Sequence, residues 1–185
     1  MIALLRLPRR ALLAVLLLCT LLPASARADY AVGDVPFDEV GDDAEGEAIR
    51  ISDYRGKVVI VTFWATWCGP CMQELPMLEN TQRVAGTEQV RVIGVNFKQQ
   101  KKVLRQLQRK LAHKKWEMTL TYDPREKAAE AYGIKGIPHM FMIGRDGTIR
   151  VIRRGYSADS LDGYIDDLND LLAEPAPATP SATDD

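Results

Sequence analysis

Cysteine and histidine are scarce in this chain. Its 185 residues include three cysteines and two histidines, and the formal net charge is −1. With so few thiols and imidazoles, the chain has few side chains that could bind zinc, which usually needs four ligands. The near-zero net charge gives no electrostatic case for nucleic-acid binding. Hydrophobic residues make up 46% of the chain, which is enough for the core of one globular domain.

The chain also lacks an apolar run long enough to span a membrane. The apolar stretch at residues 11–22 is shorter than the ~20 residues that a transmembrane helix needs. Arginines precede this stretch, and two overlapping small-x-small cleavage sites follow it. This order predicts a signal peptide over residues 1–28, cleaved after Ala26 or Ala28, and export to the periplasm or another extracytoplasmic space. The alternative is an uncleaved segment that tethers the protein to a membrane.

Cleavage would leave only two cysteines, Cys68 and Cys71, because Cys19 lies in the signal segment. A lipid anchor on Cys19 is disfavoured because the residue before it is not small. The remaining chain would carry 20 basic and 25 acidic residues, and would be mildly acidic. A disulfide that closes so short a loop constrains the unfolded chain little. The two cysteines are therefore predicted to be a working redox pair rather than a structural disulfide.

Apolar periodicity predicts that strands and helices alternate along the chain. A hairpin within residues 35–52 leads to a buried strand at 57–64 and a helix from about Gly69 to Ala85. Further strands are predicted at 90–95, 118–122, 140–143 and 148–153, and further helices at 98–113, 124–132 and 159–172. This order predicts an α/β fold with a central mixed sheet and helices on both faces. The domain is predicted to cover residues 29–173, and a disordered tail rich in proline and alanine to follow at 174–185.

The Cys68-Gly69-Pro70-Cys71 motif falls where a buried strand ends and a helix begins. A cysteine at a helix N-terminus has a lowered pKa, because the unpaired N–H groups and the helix dipole favour the thiolate. Cys68 is therefore predicted to be the exposed nucleophile. Cys71 lies one turn into the helix and is predicted to be the shielded thiol that resolves a mixed disulfide.

Two separated motifs carry a family resemblance. Residues 63–71, Phe-Trp-Ala-Thr-Trp-Cys-Gly-Pro-Cys, resemble the active site of thioredoxins, and residues 131–138 resemble the segment that precedes the thioredoxin cis-proline. The tripeptide at residues 74–76, Glu-Leu-Pro, and a helix–strand insert at 98–122 make the chain most similar to the exported TlpA/ResA-like thiol–disulfide oxidoreductases. The resemblance covers residues 32–172 and implies a thioredoxin fold with an N-terminal hairpin.

The resemblance also implies an activity and partners. The activity is protein-disulfide reduction outside the cytoplasm, with the redox-active disulfide and no other cofactor or metal. Typical clients of such proteins are apocytochrome c and other thiol proteins, and a membrane-bound donor supplies the electrons. We expect a monomer that binds no nucleic acid.

The substrate groove is likewise implied by the resemblance. It places a cis peptide bond between Ile137 and Pro138, facing the two cysteines. This loop would bind the client together with the exposed Trp67 and the Gly69-Pro70 dipeptide.

Two positions depart from classical thioredoxins. Their buried aspartate is replaced here by Thr62, so the usual proton relay is missing. In ResA-like proteins, a glutamate three residues after the second cysteine assists proton transfer, and that position is Glu74 here. Burial would raise the pKa of Glu74 and allow it to accept the Cys71 proton. The alternative is an exposed helical glutamate without a role.

His139 follows the expected cis-proline, where the family usually has threonine. Its imidazole could lie close to Cys68 and stabilise the thiolate, or it could point off the opposite face of the sheet, because strand side chains alternate. In the first case Cys68, Cys71 and His139 could together bind copper, which makes a copper metallochaperone the alternative function. That class usually spaces its cysteines by three residues. A thiol peroxidase is a third option, but its Pro-x-x-x-Thr-x-x-Cys loop is absent.

Overall fold

A computed structural model describes residues 30–112 and 114–175. The predicted signal peptide at 1–28 lies outside these residues, as do His113 and residues 176–185 of the predicted tail. Within the described residues, no helix is both long enough and apolar enough to cross a membrane.

Seven strands in the described part of the chain form one mixed sheet. They are β1 (Glu39–Asp42), β2 (Ala48–Arg50), β3 (Val58–Trp64), β4 (Val90–Asn96), β5 (Thr119–Tyr122), β6 (His139–Ile143) and β7 (Ile149–Arg154). Their order across the sheet is β2-β1-β5-β4-β3-β6-β7. Strands β3, β4 and β5 pair in parallel, and β6 and β7 extend one side with antiparallel pairing. The N-terminal hairpin closes the other side, because β1 pairs antiparallel with β5.

In the described residues, four α-helices connect or follow these strands: α1 (Gly69–Ala85), α2 (Lys101–Ala112), α3 (Lys127–Ala131) and α4 (Leu161–Ala173). The expected fold is confirmed, with differences at element ends. Helix α2 begins three residues later than predicted. The predicted helix at 124–132 is a short 3-10 turn followed by α3, because Arg125 and Glu126 adopt left-handed backbone angles that interrupt a continuous helix.

The sheet has two covered faces. Along β3, Val58 and Ile60 pack into one cluster with α1 and α4, whereas Val59, Val61 and Phe63 pack into a second cluster with α3. This alternation is what a strand buried on both faces requires. We call the two sides the α1 face and the α3 face of the sheet.

The reactive motif lies at one end of the sheet, where β3 stops. The loop between β3 and α1 is held by Gln99, whose side chain accepts from the backbone N–H of Thr66 and donates to its hydroxyl, both at 2.8 Å. Because β6 runs antiparallel to β3 and Phe63 pairs with His139, the residue before β6 lies at this same end. The fold thus brings Pro138 beside the Cys68–Cys71 motif.

Candidate active site

Cys68 and Cys71 form a disulfide, with Cα atoms 5.2 Å apart. Cys68 is the N-cap residue of α1, and its Sγ accepts a hydrogen bond from the backbone N–H of Cys71 at 3.2 Å. Pro70 lies in the first turn of the helix, where its missing N–H has no intrahelical partner to lose. The Cys68 sulfur therefore faces the N-terminal end of the helix dipole, which favours a thiolate once the bond is reduced.

The two cysteines differ less in exposure than expected. Cys71 is fully buried, as predicted for a resolving thiol, but Cys68 is only 6% exposed rather than open to solvent. The physical reason is that its sulfur is bonded to Cys71 and turned toward the first helical turn. The exposed surface around it comes from Trp67, which is 63% exposed, and from Gly69 and Pro70.

The peptide bond between Ile137 and Pro138 is cis. Pro138 is buried, and its carbonyl oxygen accepts the backbone N–H of Gly155 at 2.8 Å, which ties this loop to the end of β7. Ile137 is half-buried and packs against clusters on both faces of the sheet. The loop thus lies at the edge between the two faces, next to the disulfide.

Glu74 is buried on the α1 face, with 1% of its surface exposed. Its Oε2 accepts a hydrogen bond of 2.7 Å from the hydroxyl of Thr62, which is itself fully buried. Burial raises the pKa of Glu74 to about 7, against the opposing effect of the Thr62 hydrogen bond. Glu74 follows Cys71 by three residues on α1, so both side chains lie on the same side of the helix.

A cavity of about 390 Å³ adjoins Glu74 on the α1 face. Tyr164 and Met140 also line it, and the hydroxyl of Tyr164 donates to Thr81 at 2.9 Å. Burial raises the pKa of Tyr164 to about 12, so the phenol stays protonated at neutral pH. Tyr164 lies within the helix predicted at 159–172, but no motif in the sequence marked it as a neighbour of Glu74.

His139 lies on the other face of the sheet from the two cysteines. Its ring stacks on Phe141 at a centroid distance of 4.7 Å, and Phe141 belongs to the cluster on the α3 face. Met140, the residue between them, packs in the cluster that contains Cys68 and Cys71. The hypothesis that the imidazole stabilises the Cys68 thiolate is therefore wrong for this structure, because the phase of β6 points the ring away.

The same placement removes the geometric basis for a copper site made of Cys68, Cys71 and His139. A metal ion bound by the two sulfurs on the α1 face would not reach an imidazole on the α3 face. Among the residues that the structure describes, no other group of three or more His, Cys, Asp or Glu side chains could hold a metal ion.

Comparison with known proteins places the chain among thiol–disulfide enzymes. Residues 32–152 match the model of the AhpC/TSA family. The chain is 30% identical over 125 residues to the thiol-disulfide oxidoreductase ResA of Geobacillus thermodenitrificans, which covers 68% of this chain and 70% of that protein. It is 31% identical over 156 residues to the thiol:disulfide interchange protein CycY of Rhizobium leguminosarum, covering 78% and 81%.

A solved structure agrees with these relatives. The crystal structure of a candidate thiol:disulfide interchange protein DsbE from Chlorobium tepidum superimposes with a TM-score of 0.68 at 28% identity. The superposition covers 77% of this chain and 98% of that one.

Proposed function

The chain belongs to the AhpC/TSA family and is a TlpA/ResA-like thiol–disulfide oxidoreductase, and from this premise we propose that it reduces protein disulfides outside the cytoplasm. The observation that carries the proposal is the Cys68–Cys71 pair at the start of α1, beside the cis-proline loop and the buried Glu74. The proposal assigns Cys68 as nucleophile, Cys71 as resolving thiol and Glu74 as proton acceptor.

The first step uses the reduced form of the protein. The Cys68 thiolate attacks one sulfur of a client disulfide, the client S–S bond breaks, and the other client sulfur leaves as a thiolate that takes a proton from solvent. The position of Cys68 at the helix N-terminus supports this role, since the helix dipole and the unpaired N–H groups favour a thiolate there. Trp67, Gly69 and Pro70 offer the exposed contact surface, and the Ile137–Pro138 loop borders it.

The second step releases the reduced client. Cys71 loses its proton to Glu74 and attacks the Cys68 sulfur, which forms the Cys68–Cys71 disulfide and expels the second client sulfur as a thiolate. A carboxyl with a pKa of about 7 suits this work, because it can both accept and return a proton near neutral pH. The cavity beside Glu74 gives the accepted proton a route to water.

Two electrons must then return to the protein for each client disulfide reduced. We propose a membrane-bound dithiol donor that reduces Cys68–Cys71 by the same exchange in the opposite direction. The predicted signal peptide at residues 1–28 supports an extracytoplasmic location. Exported proteins with cysteine pairs are the expected clients, with apocytochrome c as the specific candidate that the family resemblance suggests.

Trapping tests the mechanism directly. Replacing Cys71 by serine should leave Cys68 able to attack but unable to be released, so client proteins should accumulate as mixed disulfides visible on non-reducing gels. Cys68→Ser is the matched control, since it retains one buried thiol and should trap little. Equal trapping by both variants, or by neither in cells that contain exported thiol proteins, would contradict the assigned roles.

The direction of electron flow needs a separate measurement. Alkylation of the thiols in intact cells, followed by a gel shift, reports how much of the Cys68–Cys71 pair is reduced. A reductase should be found mainly as the dithiol, and loss of its electron donor should convert it to the disulfide. A protein that stays fully oxidised in normally growing cells would act as an oxidase instead.

A further inference from the structure

A second pocket opens beside the cis-proline loop, on the α3 face of the sheet. Its volume is about 630 Å³. It is separate from the cavity that Glu74 lines, although Arg154 and Gly155 border both. His139 and Phe141 of β6 form one wall, and residues 135–138 form the rim that continues into the reactive loop. None of the steps described for thiol exchange uses this pocket.

Two nitrogen-bearing side chains in this pocket have unused hydrogen-bonding capacity. His139 is 6% exposed, and its buried Nε2 has no hydrogen-bond partner. A buried polar atom without a partner destabilises the folded state, so the few that occur in native proteins need an explanation. Arg154 lies directly opposite His139 in the pairing of β6 with β7. Its side chain makes no ion pair or hydrogen bond with the part of the chain that the structure describes.

The charge of the pocket selects the kind of ligand. Arg154 and Lys135 both line it, and no aspartate or glutamate among the described residues does. A guanidinium without an ion-pair partner suits a carboxylate, because the carboxylate can accept two parallel N–H bonds along the edge of the guanidinium. An imidazole on the neighbouring strand can add one further donor to the same group.

We propose that this pocket is a subsite for a carboxylate side chain of the client polypeptide, held by Arg154 and His139 close to the client cysteine that reacts with Cys68. The inference rests on the proposed function, because it takes the client to be a polypeptide lying across the cis-proline loop. Pro138 connects the two places: it borders the pocket and also lies beside the disulfide. The site would make the enzyme favour client disulfides with an acidic residue near the reactive cysteine.

Paired peptides test this preference. Disulfide-containing peptides carry glutamate at one of the three positions on either side of the reactive cysteine, and each has a partner with glutamine at the same position. The rate of reduction by the pre-reduced protein is measured for both members of each pair. At the position that reaches the pocket, the glutamate peptide should react about tenfold faster, the gain expected of one well-placed ion pair.

Two variants identify the groups responsible. Arg154→Gln should reduce the glutamate-to-glutamine rate ratio to near one, and His139→Phe should lower it by a smaller factor. The matched control is Arg105→Gln, which removes the same charge from an exposed site on α2 and should leave the ratio unchanged. Arg154 is itself exposed, so its replacement should not prevent folding.

The outcomes separate this inference from the proposed function. If no position shows a preference for glutamate while the glutamine peptides are still reduced, the subsite is wrong and the reductase stands. The subsite is also wrong if Arg105→Gln removes the preference as fully as Arg154→Gln, because the effect would then be one of overall charge. If the wild-type protein reduces none of the peptides, the proposed function itself fails.

Discussion

The hydroxyl of Thr62 donates a hydrogen bond to Oε2 of Glu74 across 2.7 Å, and both side chains are buried. Thr62 lies on β3 and Glu74 on α1, so the bond links the strand that leads to Cys68 with the helix that follows it. The bond favours the charged form of Glu74, whereas burial disfavours it more strongly, and the balance leaves a pKa of about 7. Two residues 12 positions apart thus hold a carboxyl whose protonation can change near neutral pH.

The first prediction concerns the pH dependence of the resolving step. Only ionised Glu74 can accept the Cys71 proton, so the rate of disulfide formation should rise with pH through a midpoint near 7. Glu74→Gln should remove this step and slow the reaction at pH 8 by about 100-fold, the usual size of a general-base contribution. This rate is measured by stopped-flow, starting from the protein whose Cys68 is joined to a client sulfur in a mixed disulfide and following formation of the Cys68–Cys71 disulfide. Glu88→Gln, which removes a carboxylate that is 86% exposed, is the control and should keep the wild-type profile.

The second prediction isolates the hydrogen bond. Thr62→Val keeps nearly the same volume but removes the donor to Glu74, so the pKa of the carboxyl should rise further. A hydrogen bond to a charged group is worth about 1.5–3 kcal/mol, which corresponds to a rise of one to two pH units in the midpoint of the profile. A downward shift of the midpoint, or none, would show that Thr62 does not act on Glu74.

The third prediction concerns stability. The folded pKa of Glu74 is about 7 and the unfolded value is 4.5, so the folded state holds the proton more tightly. The stabilisation from this proton is complete below pH 4.5 and is lost as pH rises to about 7, a change of about 3 kcal/mol. The glutamine in Glu74→Gln cannot ionise. As pH rises from 4.5 to 8, the free energy of unfolding of this variant should therefore increase relative to that of the wild type by this amount. Urea unfolding of both oxidised proteins at several pH values measures the difference, and parallel curves would refute it.

The sequence predicted the parts of the site that depend on local order along the chain. The strand before Cys68 and the helix after it follow from an apolar β-branched run and from Pro70, and both are present. The exposure of Trp67 and the burial of the strand that ends at Trp64 were also predicted and are confirmed.

What the sequence could not predict depends on contacts between distant segments. The phase of β6 decides which face His139 occupies, and a run buried on both faces gives no signal of phase. The pairing of β1 with β5, which adds the hairpin to the far side of the sheet, is likewise set by tertiary contact. The low exposure of Cys68 follows from its bond to Cys71, which the expectation of an open nucleophile did not include.

The fourth prediction uses His139, whose response to pH is opposite to that of Glu74. Burial and the nearby Arg154 lower the pKa of His139 from 6.5 to about 4. As pH falls, His139 therefore takes up a proton in the unfolded chain before it does so in the folded protein. The stability that depends on neutral His139 is present above pH 6.5 and is lost on acidification to about 4. Partial screening by solvent reduces the expected loss to about 2 kcal/mol.

His139→Gln should remove this loss. As pH falls from 6.5 to 4, the free energy of unfolding of the variant should therefore rise relative to that of the wild type, as measured by urea unfolding without added peptide. The comparison has an internal check, because Glu74 and His139 lie on opposite faces of the sheet and share no hydrogen bond. Their effects should add in the double variant, which is the behaviour of independent sites. A His139→Gln curve parallel to that of the wild type over this range would mean that the imidazole is protonated in the folded protein, and that burial does not hold it neutral.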